Sequence, residues 1–184
     1  MSGRNKTRRC RTLVATAALA FGLCCWCRGD EPALARVEAA FIYNFTQFVE
    51  WPAEAFPEKD APFVVAIVGE DPLAGALEHA MAGKLANGRP VVVRHFASAE
   101  VIEGCQILFV PAAQDGAVPA ILAKAANRAV LTVGQTDAFM RGGGAIRLLV
   151  EDGRVKFQVA PDVVDGAKLK ASAKLMKLAR IYSK

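Results

Sequence analysis

Six consecutive apolar residues, Phe63 to Val68, constrain the fold of this 184-residue chain more than any other segment. Four of the six are β-branched, and no polar residue alternates with them. A continuous run of this kind suits a strand buried on both faces, which needs helices above and below it. The flanking sequence supplies them. Asp71 is a good N-cap and Pro72 fits the first position of a helix running to residue 81. Asn87-Gly88 turns the chain into a strand over 90–96, followed by a short helical turn over 98–103 and a strand over 106–110. A helix over 118–126 and a strand over 129–133 continue the alternation. Upstream, Val37, Phe41, Asn44/Phe45 and Phe48 recur at helical spacing over 36–49, and Trp51-Pro52 stops that helix. Strand and helix alternating through short loops predict an α/β domain: a mixed sheet flanked by helices.

The C-terminal third breaks the rhythm. Residues 145–151 and 154–159 flank Asp152-Gly153, the preferred dipeptide of a two-residue type I′ turn. With those two residues as the loop, Val150 faces Val155, Leu148 faces Phe157 and Ile146 faces Val159. All six apolar side chains then share one face, while Glu151 faces Arg154 and Arg147 faces Gln158 on the other. A final helix is predicted over 162–182, with Asp162 as cap and a stripe of Val164, Ala167/Lys168, Ala171, Leu175, Leu178 and Tyr182. Repeats, low-complexity segments and long linkers are absent from the sequence, so a single compact domain over 36–184 is expected.

Residues 1–35 read differently. Arg4, Lys6, Arg8, Arg9 and Arg11 precede an apolar stretch, Leu13 to Trp26, and a short polar segment ends in Ala33-Leu34-Ala35. That order is the pattern of a cleaved secretory signal peptide. The stretch holds 14 residues, whereas a spanning helix needs about 20. Cys24, Cys25 and Cys27 follow Leu23, Cys24 and Trp26, which are not the small residues of a lipid-modification site. The expected location is outside the cytoplasm.

Setting the leader aside changes two arguments. Of the 23 basic and 18 acidic residues, six and two lie in the leader, leaving 17 basic and 16 acidic, a balance of +1. The remaining chain has no basic face to neutralise phosphates, so nucleic acid is not an expected partner. Four of the five cysteines are also in the leader, leaving Cys105 alone and without an internal disulfide. Cys105 begins a strand-like run. It is either a small apolar residue at a strand start or a redox-sensitive thiol.

Candidate chemistry is sparse. His79 and His95 have no second ligand at metal spacing, so no metal or cofactor is expected. Ser98, Ser172 and Ser183 lie outside any strand–turn–helix nucleophile context, and Glu70-Asp71 reads as loop and cap; no catalytic residue is assigned. Arg141 followed by Gly142, Gly143 and Gly144 is either a flexible loop leading into the hairpin or an anion cradle of backbone N–H groups. The aromatic crowd of Phe41, Tyr43, Phe45, Phe48 and Trp51 cannot all point to one helix face. Either a loop covers the surplus or a partner does, since aromatic anchors favour interfaces. Phe45, Phe48 and Trp51 are the candidate partner-binding residues.

Six strings then carry a resemblance. AAFIYNFTQFVEWP, IVGEDPLAGALE, NGRPVVVRHF, GCQILFVPAA, AVLTVGQTDAFMRGGGAIRLLVEDGRVKFQV and SAKLMKLARIY occur in order from Ala39 to Tyr182. Together they resemble the YfiR family of small periplasmic proteins. The resemblance implies an exported, non-enzymatic α/β domain that dimerises. It implies binding to the periplasmic sensor portion of an inner-membrane diguanylate cyclase, with repression of cyclic-di-GMP synthesis and so of biofilm formation. It also implies, for some members, paired cysteines under redox control and release by an outer-membrane partner. This chain departs from the pattern. Only Cys105 matches a family cysteine, Arg147 and Ala160 stand where asparagine is usual, and Ala173 replaces a serine. The alternative reading is a periplasmic small-ligand receptor that holds an anion at Arg141 and Gly142–Gly144, near the strand ends where open α/β sheets form crevices.

Overall fold

The computed structural model describes residues 33–99 and 102–183. The predicted leader lies almost wholly outside them, and its boundary at Ala35 falls in the first turn of helix α1 (Ala33–Phe48). The predicted turn over 98–103 lies partly outside them as well, since residues 100 and 101 are not described. Among the described residues, no helix is long and apolar enough to cross a membrane.

The chain continues through β1 (Val49–Glu50), β2 (Phe63–Val68), α2 (Leu73–Met81), β3 (Leu85–Ala86), β4 (Arg89–Phe96), β5 (Ile107–Val110) and α3 (Val118–Ala125). It ends with β6 (Leu131–Gly134), α4 (Asp137–Arg141), β7 (Ile146–Glu151), β8 (Arg154–Val159), α5 (Pro161–Gly166), β9 (Lys170–Ala171), α6 (Ala173–Leu178) and β10 (Arg180–Ile181). The main sheet has the order β10-β8-β7-β6-β5-β2-β4-β3. β4, β2, β5, β6 and β7 run parallel, and β8 returns antiparallel to β7. The expected α/β class, a mixed sheet flanked by helices with a C-terminal hairpin and a last helix, is what the structure shows.

β2 sits inside this sheet, paired with β4 on one side and β5 on the other. Every one of its residues is buried. Phe63, Val65 and Ile67 join a core cluster with Ala39, Ile42 and Phe45 of α1 and Leu73, Leu77 and Met81 of α2. Val64, Ala66 and Val68 join a second cluster with Val118 and Ile121 of α3 and Phe139 and Met140 of α4. Successive side chains of a strand point to opposite faces, so one strand contributes to two cores. Each fully buried side chain of this size contributes about 1.5–3 kcal/mol relative to exposure.

The hairpin has the predicted register at every pair, from Ile146 opposite Val159 to Glu151 opposite Arg154. Asp152 (φ 51°) and Gly153 (φ 71°) both take the left-handed conformation that a type I′ turn demands. At the start of α2, Asp71 Oδ1 accepts the Leu73 N–H at 2.8 Å, as a capping residue should.

The long final helix predicted over 162–182 does not form. The chain breaks it into α5, β9, α6 and β10. Gly166 ends α5, and Lys168 then adopts φ 59° in a left-handed turn closed by the Leu169 N–H on the Val164 carbonyl at 3.1 Å. Leu169 is drawn into the core at 1% exposure. β9 pairs antiparallel with β1, and the Ser172 N–H donates to the Phe48 carbonyl at 2.8 Å. Ser172 Oγ then accepts the Leu175 N–H at 3.2 Å and starts α6 afresh. β10 adds to the edge of β8, where Glu151 receives Lys156 at 2.9 Å and also Arg180. Helical spacing suited a stripe, but strand pairing and the burial of Leu169 outweigh it.

Leu169 gives a decisive measurement. In one uninterrupted helix it would lie roughly 140° around from Val164, on the solvated side. In the observed fold Leu169→Ala removes a core side chain and lowers stability by about 2–5 kcal/mol, measured by urea unfolding.

Candidate functional site

α1 carries two apolar stripes. Ala35, Ala39, Ile42 and Phe45 face the sheet and are buried. Leu34, Val37, Phe41 and Phe48, offset around the helix, face outward at the same i, i+3, i+4 spacing. Val37 is 43% exposed, while Phe41 and Phe48 are half-buried. An ordinary surface helix keeps its second face polar; here Phe41 and Phe48 pack against the edge of the core, and Leu34 and Val37 stay exposed.

The stripe borders a shallow groove. Phe41 and Phe48 of α1, Phe157 of β8, and Lys174 and Leu178 of α6 line it. Phe157 fixes its floor by packing against Phe41 and Phe45, with ring centroids 5.6 and 5.5 Å apart. Lys174 Nζ stands 5.0 Å from the centre of the Phe48 ring. Leu178 is 70% exposed. Ile181 and Val150 are exposed on the neighbouring strands, and the register puts them on the same sheet face as Val155, Phe157 and Val159. The result is an apolar rim along one edge of the domain, with a lysine at its border.

The three aromatic candidates take different places. Phe45 is 1% exposed and belongs to the core, where it backs the groove. Trp51 stacks edge-on against Phe63 at 4.8 Å, and its indole N–H donates to the Gln106 carbonyl at 3.1 Å. Phe45 and Phe48 both line the groove, Phe45 from its buried side and Phe48 from its half-exposed wall. The sequence signal for the missed residues was present: Leu34, Val37 and Phe41 repeat at helical spacing in line with Phe48. Leu178 carried no such signal, because the long predicted helix put it on the inward stripe.

Gln106 is a polar residue that residue-type reasoning passed over. It is buried, and its Oε1 accepts the Val64 N–H at 2.8 Å while its Nε2 donates to the Ala55 carbonyl at 2.7 Å. Gln106 thereby clamps the segment after α1 to the sheet, which gives both ends of its buried amide a partner.

The carboxyl ends of the strands hold a second polar group. The winding direction reverses between β2 and β5, the place where open α/β sheets usually form a crevice. Here Gln114 lies over Gly69 so closely that a Cβ on Gly69 would come 2.5 Å from Nε2. Gln135 Nε2 donates to Glu38 Oε2 at 3.1 Å, and Arg147 binds the Gln135 carbonyl (3.2 Å), Gln158 (3.3 Å) and Asp137. Arg147, which stands where the resemblance has asparagine, thus ties α4, β6 and the hairpin together. Burial holds the Glu38 carboxyl above its usual range; the Gln135 hydrogen bond opposes this and the Asp71 charge adds to it.

The loop of Gly142, Gly143 and Gly144 has its donors engaged. Their N–H groups bond the carbonyls of Ala138 (2.9 Å), Met140 (3.0 Å) and Phe139 (3.0 Å). A Cβ on Gly144 would overlap the Phe139 ring, so this glycine answers to close packing. Arg141 is exposed at the end of α4. Cys105 is buried, and its thiol is pushed up to about 11 by burial, against the pull of Arg128 and Arg94. His95 Nε2 meets Glu78 at 2.9 Å. Among the described residues, no three His, Cys, Asp or Glu side chains gather as a metal site.

Residues 35–180 match the family described as YfiR/HmsC-like. The chain belongs to the YfiR/HmsC-like family. Members of the family are periplasmic regulators of cyclic-di-GMP signalling. No curated protein matches the chain. The fold is similar to the crystal structure of a conserved domain protein from Vibrio cholerae O1 biovar El Tor strain N16961, with a TM-score of 0.52 and 9% identity. That likeness covers 81% of this chain and 60% of the Vibrio protein, and it concerns the fold alone.

Two measurements follow from the buried groups. The folded state holds the Glu38 proton more tightly than the unfolded chain does, so its contribution to stability is lost as pH rises through the carboxylate range and beyond. Glu38→Gln keeps an acceptor for Gln135 and removes that loss: its Tm exceeds that of the parent at pH 7, and the gain vanishes near pH 4. Because the thiolate is the reactive form, Cys105 in the folded protein resists a thiol-titrating disulfide reagent at pH 8 and reacts fully after denaturation.

Proposed function

We propose that this protein is a non-catalytic periplasmic repressor. It binds the periplasmic sensor portion of an inner-membrane diguanylate cyclase and holds down cyclic-di-GMP synthesis. The observation that carries the contact surface is the outer stripe of α1 with the groove beside it. Val37, Phe41, Phe48 and Leu178 offer apolar anchors at the surface, the kind of patch that marks protein–protein contact. Binding one conformation of a sensor in preference to another shifts its population, and no chemical step is required. The serine and histidine positions described above fit that reading, since Ser172 caps a helix and His95 pairs with Glu78.

Of the three residues singled out from the sequence, Phe48 stays in the contact, while Trp51 packs on Phe63 away from the groove. Phe45 contributes by holding Phe157 in the groove floor. Self-association is part of the proposal, because an exposed apolar rim suits a second copy as well as a sensor domain. Control through Cys105 and an outer-membrane partner is not part of it, since the buried thiol is held protonated.

Removing the gene raises cyclic-di-GMP, and complementing it restores the level. Leu178→Asp and Val37→Asp alter exposed positions, so Tm stays within about 2 °C, given that surface changes stay within about 0.5 kcal/mol. Each variant fails to restore repression and fails to co-purify the cyclase from periplasmic membranes. An unchanged cyclic-di-GMP level in the deletion strain would overturn the repressor reading. Full repression by both variants would overturn the assigned surface alone.

A further inference from the structure

At the opposite end of the sheet, by the amino ends of the strands, lies a cavity of about 510 Å³. It is bounded by the loop after α1, the segment leading into β5, the C-terminal end of α3 and the turn after α5. Three cations line it, Lys124, Arg128 and Lys168, against one carboxylate, Glu54. None of the three pairs with a described carboxylate. A local excess of two positive charges stands out on a chain whose balance outside the leader is only +1. Ile102, Ala125, Val130 and Cys105 add apolar atoms to a wall that also carries Asn127.

Helix ends account for part of this. Lys124 lies in the last turn of α3 and Lys168 follows α5, where cations are favoured by the helix dipole. The dipole does not explain why they converge on one hollow, nor the backbone at Lys168. Its φ of 59° is a left-handed position normally given to glycine after a helix. A lysine held there carries strain that glycine would not, and outliers of this sort gather at binding sites. Arg128 is steadied from behind, with one Nη1 donating to the Ile102 carbonyl at 3.4 Å, so its other N–H groups point elsewhere.

We propose that this cavity binds a small anionic ligand with an apolar body, of the chemical class of an aryl or alkyl phosphate. Lys124, Arg128 and Lys168 receive the anionic group, and Ile102 and Val130 receive the apolar part. The volume lies within the range of small-molecule sites. Binding here is independent of the groove on α1 and gives the domain a way to sense a solute in addition to contacting a protein.

Phenyl phosphate is the probe, with phenol and inorganic phosphate as controls. Calorimetric titration of the purified protein yields saturable binding of phenyl phosphate, at least about tenfold tighter than either control, because each lacks half of the recognised chemistry. Amide NMR shifts in the unmodified protein cluster at Cys105, Asn127, Val130 and Lys168. Lys168→Gly relieves the strained turn, so its Tm is equal to or higher than that of the parent, yet it weakens binding by about tenfold. Lys124→Gln, at an exposed position, also weakens binding without lowering Tm. Absence of saturation with phenyl phosphate overturns the proposal. So do equal affinities for phenyl phosphate and a control, shifts centred away from the cavity, or undiminished binding by Lys168→Gly.

Discussion

Burial of β2 on both faces is the constraint on which the rest of the domain depends. A strand with no solvated side must give its backbone N–H and C=O groups to two neighbours and its side chains to two separate cores. β4 and β5 satisfy the first demand. α1 and α2 on one face, with α3 and α4 on the other, satisfy the second. Once those layers are in place, the outer strands and the C-terminal hairpin have a sheet to extend. α1 also acquires an outward side.

That outward side connects fold to function. α1 uses Ile42 and Phe45 to cover the sheet, and the same 3.6-residue period aligns Val37, Phe41 and Phe48 on a different azimuth. Phe41 and Phe48 pack part of their rings against the edge of the core, while Leu34 and Val37 leave apolar surface exposed. α6 borders it because the chain broke its last helix and ran back to pair β9 with β1. The groove is therefore a product of the C-terminal rearrangement as much as of α1. The cavity by Lys168 has the same origin, since the turn that ends α5 places that side chain.

Legibility in the sequence followed the range of the interaction. The hairpin register was readable because Asp152-Gly153 and the period-2 pattern are local and agree. β2 was readable because burial on both faces removes polar residues from the strand itself. The aromatic surplus on α1 was readable as a surplus, but which ring faces out was not: Phe45 went to the core and Leu34 and Val37 to the surface. The Gln106 clamp joins residues more than forty positions apart, and a lone glutamine before an apolar run carries no signal of that.

By itself the sequence determined the α/β class, the hairpin, the strands that are buried on both faces and the near-neutral charge of residues 36–184. All of these rest on residue type and short-range spacing, which hold whatever the rest of the chain does. Tertiary structure alone decided the end of the chain. Helical spacing over 162–182 lost to the burial of Leu169 and to the pairing of β9 and β10 with distant strands. Helix propensity differs between residues by less than about 1 kcal/mol, and one buried leucine outweighs it.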